Sequence, residues 1–127
     1  MDASALVKLV FEERESTALR AFLGERRPLV SSQIAVTEVG RVARRVRPSA
    51  ATRRQVREVL DRVTILAVTR SLAEQAALLD PPLLRALDAL HLATALSLGD
   101  DLGVLVAYDH RLLAAARAAG IAVASPA

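Results

Sequence analysis

The chain contains no cysteine and no tryptophan, and it has one tyrosine, two phenylalanines and a single lysine, Lys8. The missing cysteine excludes disulfides, thiolate zinc sites and a cysteine nucleophile. With aromatics at 2% and hydrophobic residues at 53%, the core has to be built from Leu, Val and Ala. No Gly-rich phosphate loop of the P-loop or Rossmann kind occurs, and nothing resembles a nucleophile elbow. No apolar run reaches the roughly 18 residues of a membrane span. The start, Met-Asp-Ala-Ser, lacks the basic and apolar regions of a secretory signal, so the expected compartment is the cytoplasm and no membrane partner is expected.

What is present suits one domain: 127 residues, 24% of them charged, are enough for a single core. Seventeen Lys and Arg against 14 Asp and Glu give a net charge of +3. The basic side chains are nearly all Arg, whose fork suits phosphate. A GC-rich coding sequence would give the same bias.

Helical and strand-like segments alternate. Apolar spacing predicts helices over 3–11 and 15–23, the second closed by Gly24. A short strand is expected over 28–31, and Ser32 is the expected N-cap of a helix running to Val46, ended by Pro48. Ser49 caps the next predicted helix, to Asp61. The β-branched run 63–68 is the best internal strand. Helix 71–79 is broken by Pro81-Pro82, and a nearly all-apolar helix is expected over 83–98, stopped by Gly99. A strand over 104–107, a helix from Asp109 to Ala119 and a last strand over 121–124 complete the pattern. Short apolar strands separated by helices imply an α/β domain whose parallel sheet is covered on both faces.

Four acidic residues stand apart from the solvated charges. Asp88 lies within the apolar helix, where a carboxylate is costly unless paired, hydrogen-bonded or bound to a metal; a local pair with Arg85 is the plain alternative. Asp109 follows a strand and opens a helix, on the sheet rim where ligands collect in open α/β folds; a simple N-cap explains it as well. Glu38 sits at the edge of the stripe Ala35, Val39, Val42, Val46, and it could form a solvated ion pair with Arg41. Asp2 reads by itself as a helix cap. Gathered together, the four would form a hard-oxygen cage suited to Mg²⁺ or Mn²⁺. His91 and His110 lack zinc spacing, and His110 is expected to be exposed on a first helical turn.

Four strings, in order, resemble the acidic motifs of PIN-domain proteins, specifically the VapC toxins of bacterial toxin–antitoxin pairs. They are Asp2-Ala3-Ser4-Ala5-Leu6-Val7-Lys8-Leu9, Thr37-Glu38-Val39, Leu87-Asp88-Ala89-Leu90-His91-Leu92-Ala93-Thr94-Ala95 and Val106-Ala107-Tyr108-Asp109-His110-Arg111-Leu112. The resemblance implies a three-layer α/β/α fold with a central parallel sheet and a metal-dependent endoribonuclease. It implies that Asp2, Glu38, Asp88 and Asp109 bind Mg²⁺ or Mn²⁺, which activates water and offsets charge on the scissile phosphate. Ser4 and Thr37 would support these carboxylates by hydrogen bonds, and Arg41, Arg44 and Arg45 would steer the RNA backbone. A homodimer and a small VapB-type antitoxin are the implied partners.

Two departures from that family bear on the site. Its members carry a strand of several apolar residues ahead of the first Asp, whereas only Met1 precedes Asp2. The expectation is an upstream translation start or a shortened chain, with a weakened sheet and an Asp2 held less rigidly. Ala107 also stands where relatives often have Thr or Ser. With Tyr108, Phe11 and Phe22 the only aromatics, RNA choice is expected to rest on shape and phosphates. Two rival readings are a non-catalytic PIN-like module that binds RNA or protein, and a phosphoacceptor receiver domain, which lacks a lysine in the last third of the chain.

Overall fold

In a computed structural model, which describes residues 1–24 and 26–127, seven α-helices alternate with four short strands. Helix α1 (Ala3–Val10) starts where the Asp2 carboxylate accepts a hydrogen bond from the Ala5 N–H. It buries Ala5, Leu6 and Val10, so the apolar side of a single short helix reaches two neighbours. Helix α2 (Ser16–Leu23) ends at Gly24, whose φ of 43° is open to glycine and strained for other residues. Strand β1 (Val30–Ser32) leads into α3 (Ile34–Val46), which buries Ala35, Val39 and Ala43 at four-residue intervals and leaves its arginines outside. Helix α4 (Ala50–Leu60) is capped by the Ser49 hydroxyl, as its sequence indicates.

Strand β2 (Thr64–Leu66) follows, then α5 (Arg70–Ala77), capped by Thr69, and α6 (Ala86–Ser97). A turn of 3-10 helix, Gly99–Asp101, connects to β3 (Leu105–Val106), α7 (His110–Ala118) and β4 (Val123–Ala124).

Strand β1 pairs with β2, and β3 with β4, both in parallel. The two pairs are bridged by the first two residues. The Met1 ammonium donates to the Val30 carbonyl at 2.7 Å, and the Asp2 N–H donates to the Val106 carbonyl at 3.2 Å. Residues 1 and 2 therefore take the central place, one strand wide, between the pairs. The sheet thus consists of two two-stranded parallel halves.

The layers follow from β3. Val106 packs with Ala5 of α1 and with Leu19 and Leu23 of α2. Its neighbours Leu105 and Ala107 pack with Leu92 of α6 and with Leu112, Leu113 and Ala116 of α7. Successive strand residues point to opposite faces, so helices cover both sides of the strand. A third cluster joins Leu6 and Val10 to Ala35, Val39 and Val63.

Several sequence expectations are corrected. Ser32 does not cap α3: it ends β1, buried, and its Oγ has no hydrogen-bond partner, while Gln33 occupies the cap position. Each strand is shorter than its apolar run. The apolar helix begins at Ala86, three residues later than expected, and Leu83 is 94% exposed.

Candidate metal-centred site

Helix α7 begins just after β3, and α1 begins just after Asp2, whose N–H is bonded to the last residue of β3. These two helices and α6 each bring an acidic residue in the first turn or cap. Asp2 caps α1, Asp88 lies in the first turn of α6, and Asp109 caps α7. Helix N-termini carry partial positive charge from unsatisfied N–H groups, which favours carboxylates there.

Asp2 is the most buried of the three and the most firmly held. Its Oδ1 accepts from the Ala5 N–H, and its two oxygens lie 2.7 and 2.8 Å from the Ser4 hydroxyl. That hydroxyl also accepts from the Tyr108 N–H at 2.8 Å, which ties α1 to the segment following β3. With its own N–H on Val106, Asp2 is not loosely held, contrary to the expectation drawn from its place in the sequence. Burial pushes its carboxyl above the ordinary range, against the pull of Ser4, Ala5 and His91.

Asp88 is half-buried at the start of α6 and pairs with no arginine at salt-bridge distance among the described residues. Its carboxyl is raised by burial and then by the Asp109 charge, with a smaller push from Asp2. The three aspartates thus share one electrostatic neighbourhood. Asp109 accepts two N–H bonds on one oxygen, Oδ1, from Arg111 at 2.8 Å and Leu112 at 3.0 Å, so the expected cap is present. His110, beside it, is exposed as expected.

Glu38 departs from its simplest sequence reading. It pairs with His91 rather than Arg41: the His91 Nε2 lies 2.6 Å from the Glu38 Oε2, joining α3 to α6. The His91 ring is buried, with its side chain 4% exposed. In the sequence this residue stands one turn after Asp88, where zinc spacing alone gives it no role. Its position on the Asp88 face of an apolar helix is the signal that it serves the same site.

Other expected residues divide. Ser4 holds a carboxylate as anticipated. Thr37 is exposed, and among the described residues no hydrogen bond links it to any of the four carboxylates. Arg41, Arg44 and Arg45 are exposed on α3. Lys8 is held by Glu13 and Glu15 at 2.6 and 2.8 Å and lies over the Tyr108 ring, so the chain's lone lysine is already committed.

Among the described residues, no three His, Asp or Glu side chains converge closely enough to hold a metal ion as they stand. The donor set nonetheless fits a hard divalent cation by its chemistry. All four candidates offer carboxylate oxygens, the ligands Mg²⁺ and Mn²⁺ prefer, and the Asp88 carboxyl is raised by burial and then by the Asp109 charge. A cavity of about 720 Å³ between β1 and β3 includes His91 in its lining but none of the four carboxylates. Charge placement, not cavity size, marks this site.

A fold of alternating helices and parallel strands, with acidic residues at the starts of three of its helices, has a counterpart among known families. The PIN domain family model matches residues 1–118, and the chain belongs to that family. Its sequence is 45% identical over 126 residues to Ribonuclease VapC46 of Mycobacterium tuberculosis (strain ATCC 25618 / H37Rv), covering 99% of this chain and 95% of that protein. It is 39% identical to Ribonuclease VapC47 of Mycobacterium tuberculosis (strain CDC 1551 / Oshkosh), with the same coverage. The crystal structure of Mycobacterium tuberculosis VapC20, a Sarcin-Ricin loop cleaving toxin, superposes with a TM-score of 0.75. That match covers 98% of this chain and 97% of VapC20, and at 20% identity it speaks for the fold.

Proposed function

We propose that the protein is an endoribonuclease toxin of a VapBC-type pair that cleaves RNA phosphodiester bonds with Mg²⁺ or Mn²⁺. The observation that supports this reading is the placement of Asp2, Asp88 and Asp109 at the starts of three helices, with the Asp88 carboxyl raised by burial and then by the Asp109 charge. With Glu38, held by His91 beside them, they are the residues that would hold the cation. A bound divalent ion supplies an activated water and offsets charge on the scissile phosphate.

The residues themselves do the rest. Ser4 fixes the Asp2 oxygens, and the first turn of α7 fixes one oxygen of Asp109 while leaving the other unengaged by those N–H groups. Arg41, Arg44 and Arg45 are exposed on the same helix as Glu38 and would meet the RNA backbone. The sequence relatives carry the ribonuclease name over nearly their whole length, which supports the reaction class. A VapB-type antitoxin is the expected partner on the same ground. Homodimerisation is supported by exposed apolar side chains, among them Leu78 at 85% and Leu83 at 94%. No helix among the described residues is long and apolar enough to cross a membrane, and a cytoplasmic location fits an RNA substrate.

The test is cleavage of a mixed RNA substrate with Mg²⁺ or Mn²⁺, with EDTA, and with Asp88→Asn. Cleavage should need the metal and vanish in the variant, whose circular dichroism and melting should stay native. Full cleavage in EDTA would sink the reading. One observation favours a second reading, a non-catalytic PIN-like module: no three acidic or imidazole groups among the described residues are closed up for a metal. It predicts RNA binding without turnover at any metal concentration.

A further inference from the structure

We propose that His91 is a positioning residue for Glu38, holding that carboxylate beside the three aspartates so that the site can take a divalent cation. The inference rests on the metal-centred reading above and extends it to a residue outside the acidic quartet.

The geometry argues for this role. Glu38 lies on α3, at the edge of its apolar stripe, on a different layer of the fold from Asp88. A glutamate there has three rotatable bonds, and ordering it without a partner costs side-chain entropy. The 2.6 Å contact with His91 removes most of that freedom and spans 53 residues of sequence. It engages only Oε2, leaving Oε1 outside that contact. The ring is well suited to fix a partner because it is itself immobile: it is buried on α6, among Leu92, Ala93 and Ala95, which are also buried. A buried imidazole needs a hydrogen-bond partner, so ring and carboxylate hold each other.

His91 is also placed to aim the carboxylate. It follows Asp88 by three residues, on the same face of α6. The Glu38–His91 pair therefore lies on the Asp88 face of α6, with the ring buried and the Glu38 side chain 26% exposed. Partners of this kind behind metal ligands commonly change metal affinity 10- to 100-fold when they are removed.

Isothermal titration of the purified full chain with Mn²⁺ alone tests the proposal without relying on RNA cleavage. His91→Phe keeps the ring's shape and loses its donor, and His91→Gln restores a donor near the Nε2 position. We expect His91→Phe to weaken Mn²⁺ binding about 10- to 100-fold, and His91→Gln to stay within about threefold of wild type. Glu38→Gln should weaken binding by itself, and adding His91→Phe to it should cost little more, because the two act through one carboxylate. Should the buried Phe prevent folding, His91→Asn gives the same comparison, since its shorter amide stays polar but cannot reach Glu38 as the His91 Nε2 does.

Unchanged affinity in folded His91→Phe overturns the proposal, as do additive losses in the double variant or equal losses in Phe and Gln. If wild type itself takes up no Mn²⁺, the metal-centred reading fails and this proposal falls with it. Wild-type binding that is indifferent to residue 91 removes the proposal alone.

Discussion

Replacing Ser4 by alanine should reveal how much of the fold depends on the hydroxyl that joins α1 to the end of β3. That oxygen accepts the Tyr108 N–H at 2.8 Å and lies 2.7 and 2.8 Å from the two Asp2 oxygens. Stranding a buried N–H costs about 1–3 kcal/mol, and a hydrogen bond to a charged group contributes about 1.5–3 kcal/mol. Both contacts are only partly buried, so water recovers part of the loss and a net cost of about 2–3 kcal/mol is expected. For a chain of this size that is a fall in Tm of roughly 6–12 °C. Ser4→Thr keeps the hydroxyl and should cost less than about 1 kcal/mol.

The loss should also depend on pH. Burial raises the Asp2 carboxyl and the Ser4 hydroxyl opposes it, so alanine drives it higher still. Above the ordinary carboxyl value the unfolded chain has given up this proton while the folded chain holds it more tightly, so stability falls as pH rises. The gap between wild type and Ser4→Ala should therefore be wider at pH 7 than at pH 4. Urea unfolding in EDTA at both pH values measures it. A gap within about 0.5 kcal/mol of zero, or one that does not change with pH, would refute the reasoning.

The same linkage predicts that Asp2→Asn, which keeps an oxygen for the Ala5 N–H, removes part of the loss of stability between pH 4 and pH 7; urea midpoints that keep the wild-type slope would contradict it. Asp109→Ala should lose about 1 kcal/mol through its missing cap while Asp109→Asn loses little, yet both should stop RNA cleavage; a cleaving, stable Asn variant would argue against a ligand role. Exchanging Arg41, Arg44 and Arg45 for Gln should weaken RNA binding and reduce the slope of log K against log salt by about 0.7 for each phosphate no longer neutralised. Filter binding of single-stranded RNA across a salt series reads this, and an unchanged slope would move the RNA path elsewhere.

The sequence was most informative where a side chain acts on its own backbone. Asp2, Ser49 and Asp109 each mark a helix start to the residue, and Gly24 marks an end. It was less informative where an element depends on a distant partner. The run 63–68 is apolar nearly throughout, but β2 extends only over Thr64–Leu66, where β1 lies alongside. Apolar character reports burial, and a ladder also needs a neighbour. Ser32 has the chemistry of a cap, yet its backbone continues β1 and its hydroxyl stays unpaired. Leu83 extends an apolar pattern into a segment that is not helical and lies in solvent. For Glu38, local spacing can offer only partners on the same helix, such as Arg41. Its actual partner, His91, comes from another layer.

A capping role does not exclude the proposed ligand role for these carboxylates. A carboxylate has two oxygens, and the N–H groups of a helix start need only one. Asp109 takes both of its N–H bonds on Oδ1, and Asp2 takes its one on Oδ1. Capping therefore removes the rotational freedom of the group without using all its acceptor capacity, which is the preorganisation that a cation site needs. Glu38 sits inside α3, where no free N–H group is available to fix it. The buried imidazole of His91 takes the place that a helix terminus fills for Asp2 and Asp109. The proposed site would derive its rigidity from ordinary helix chemistry at two corners and from one cross-layer hydrogen bond at a third. That third corner is where a single substitution should loosen the site with the least damage to the fold.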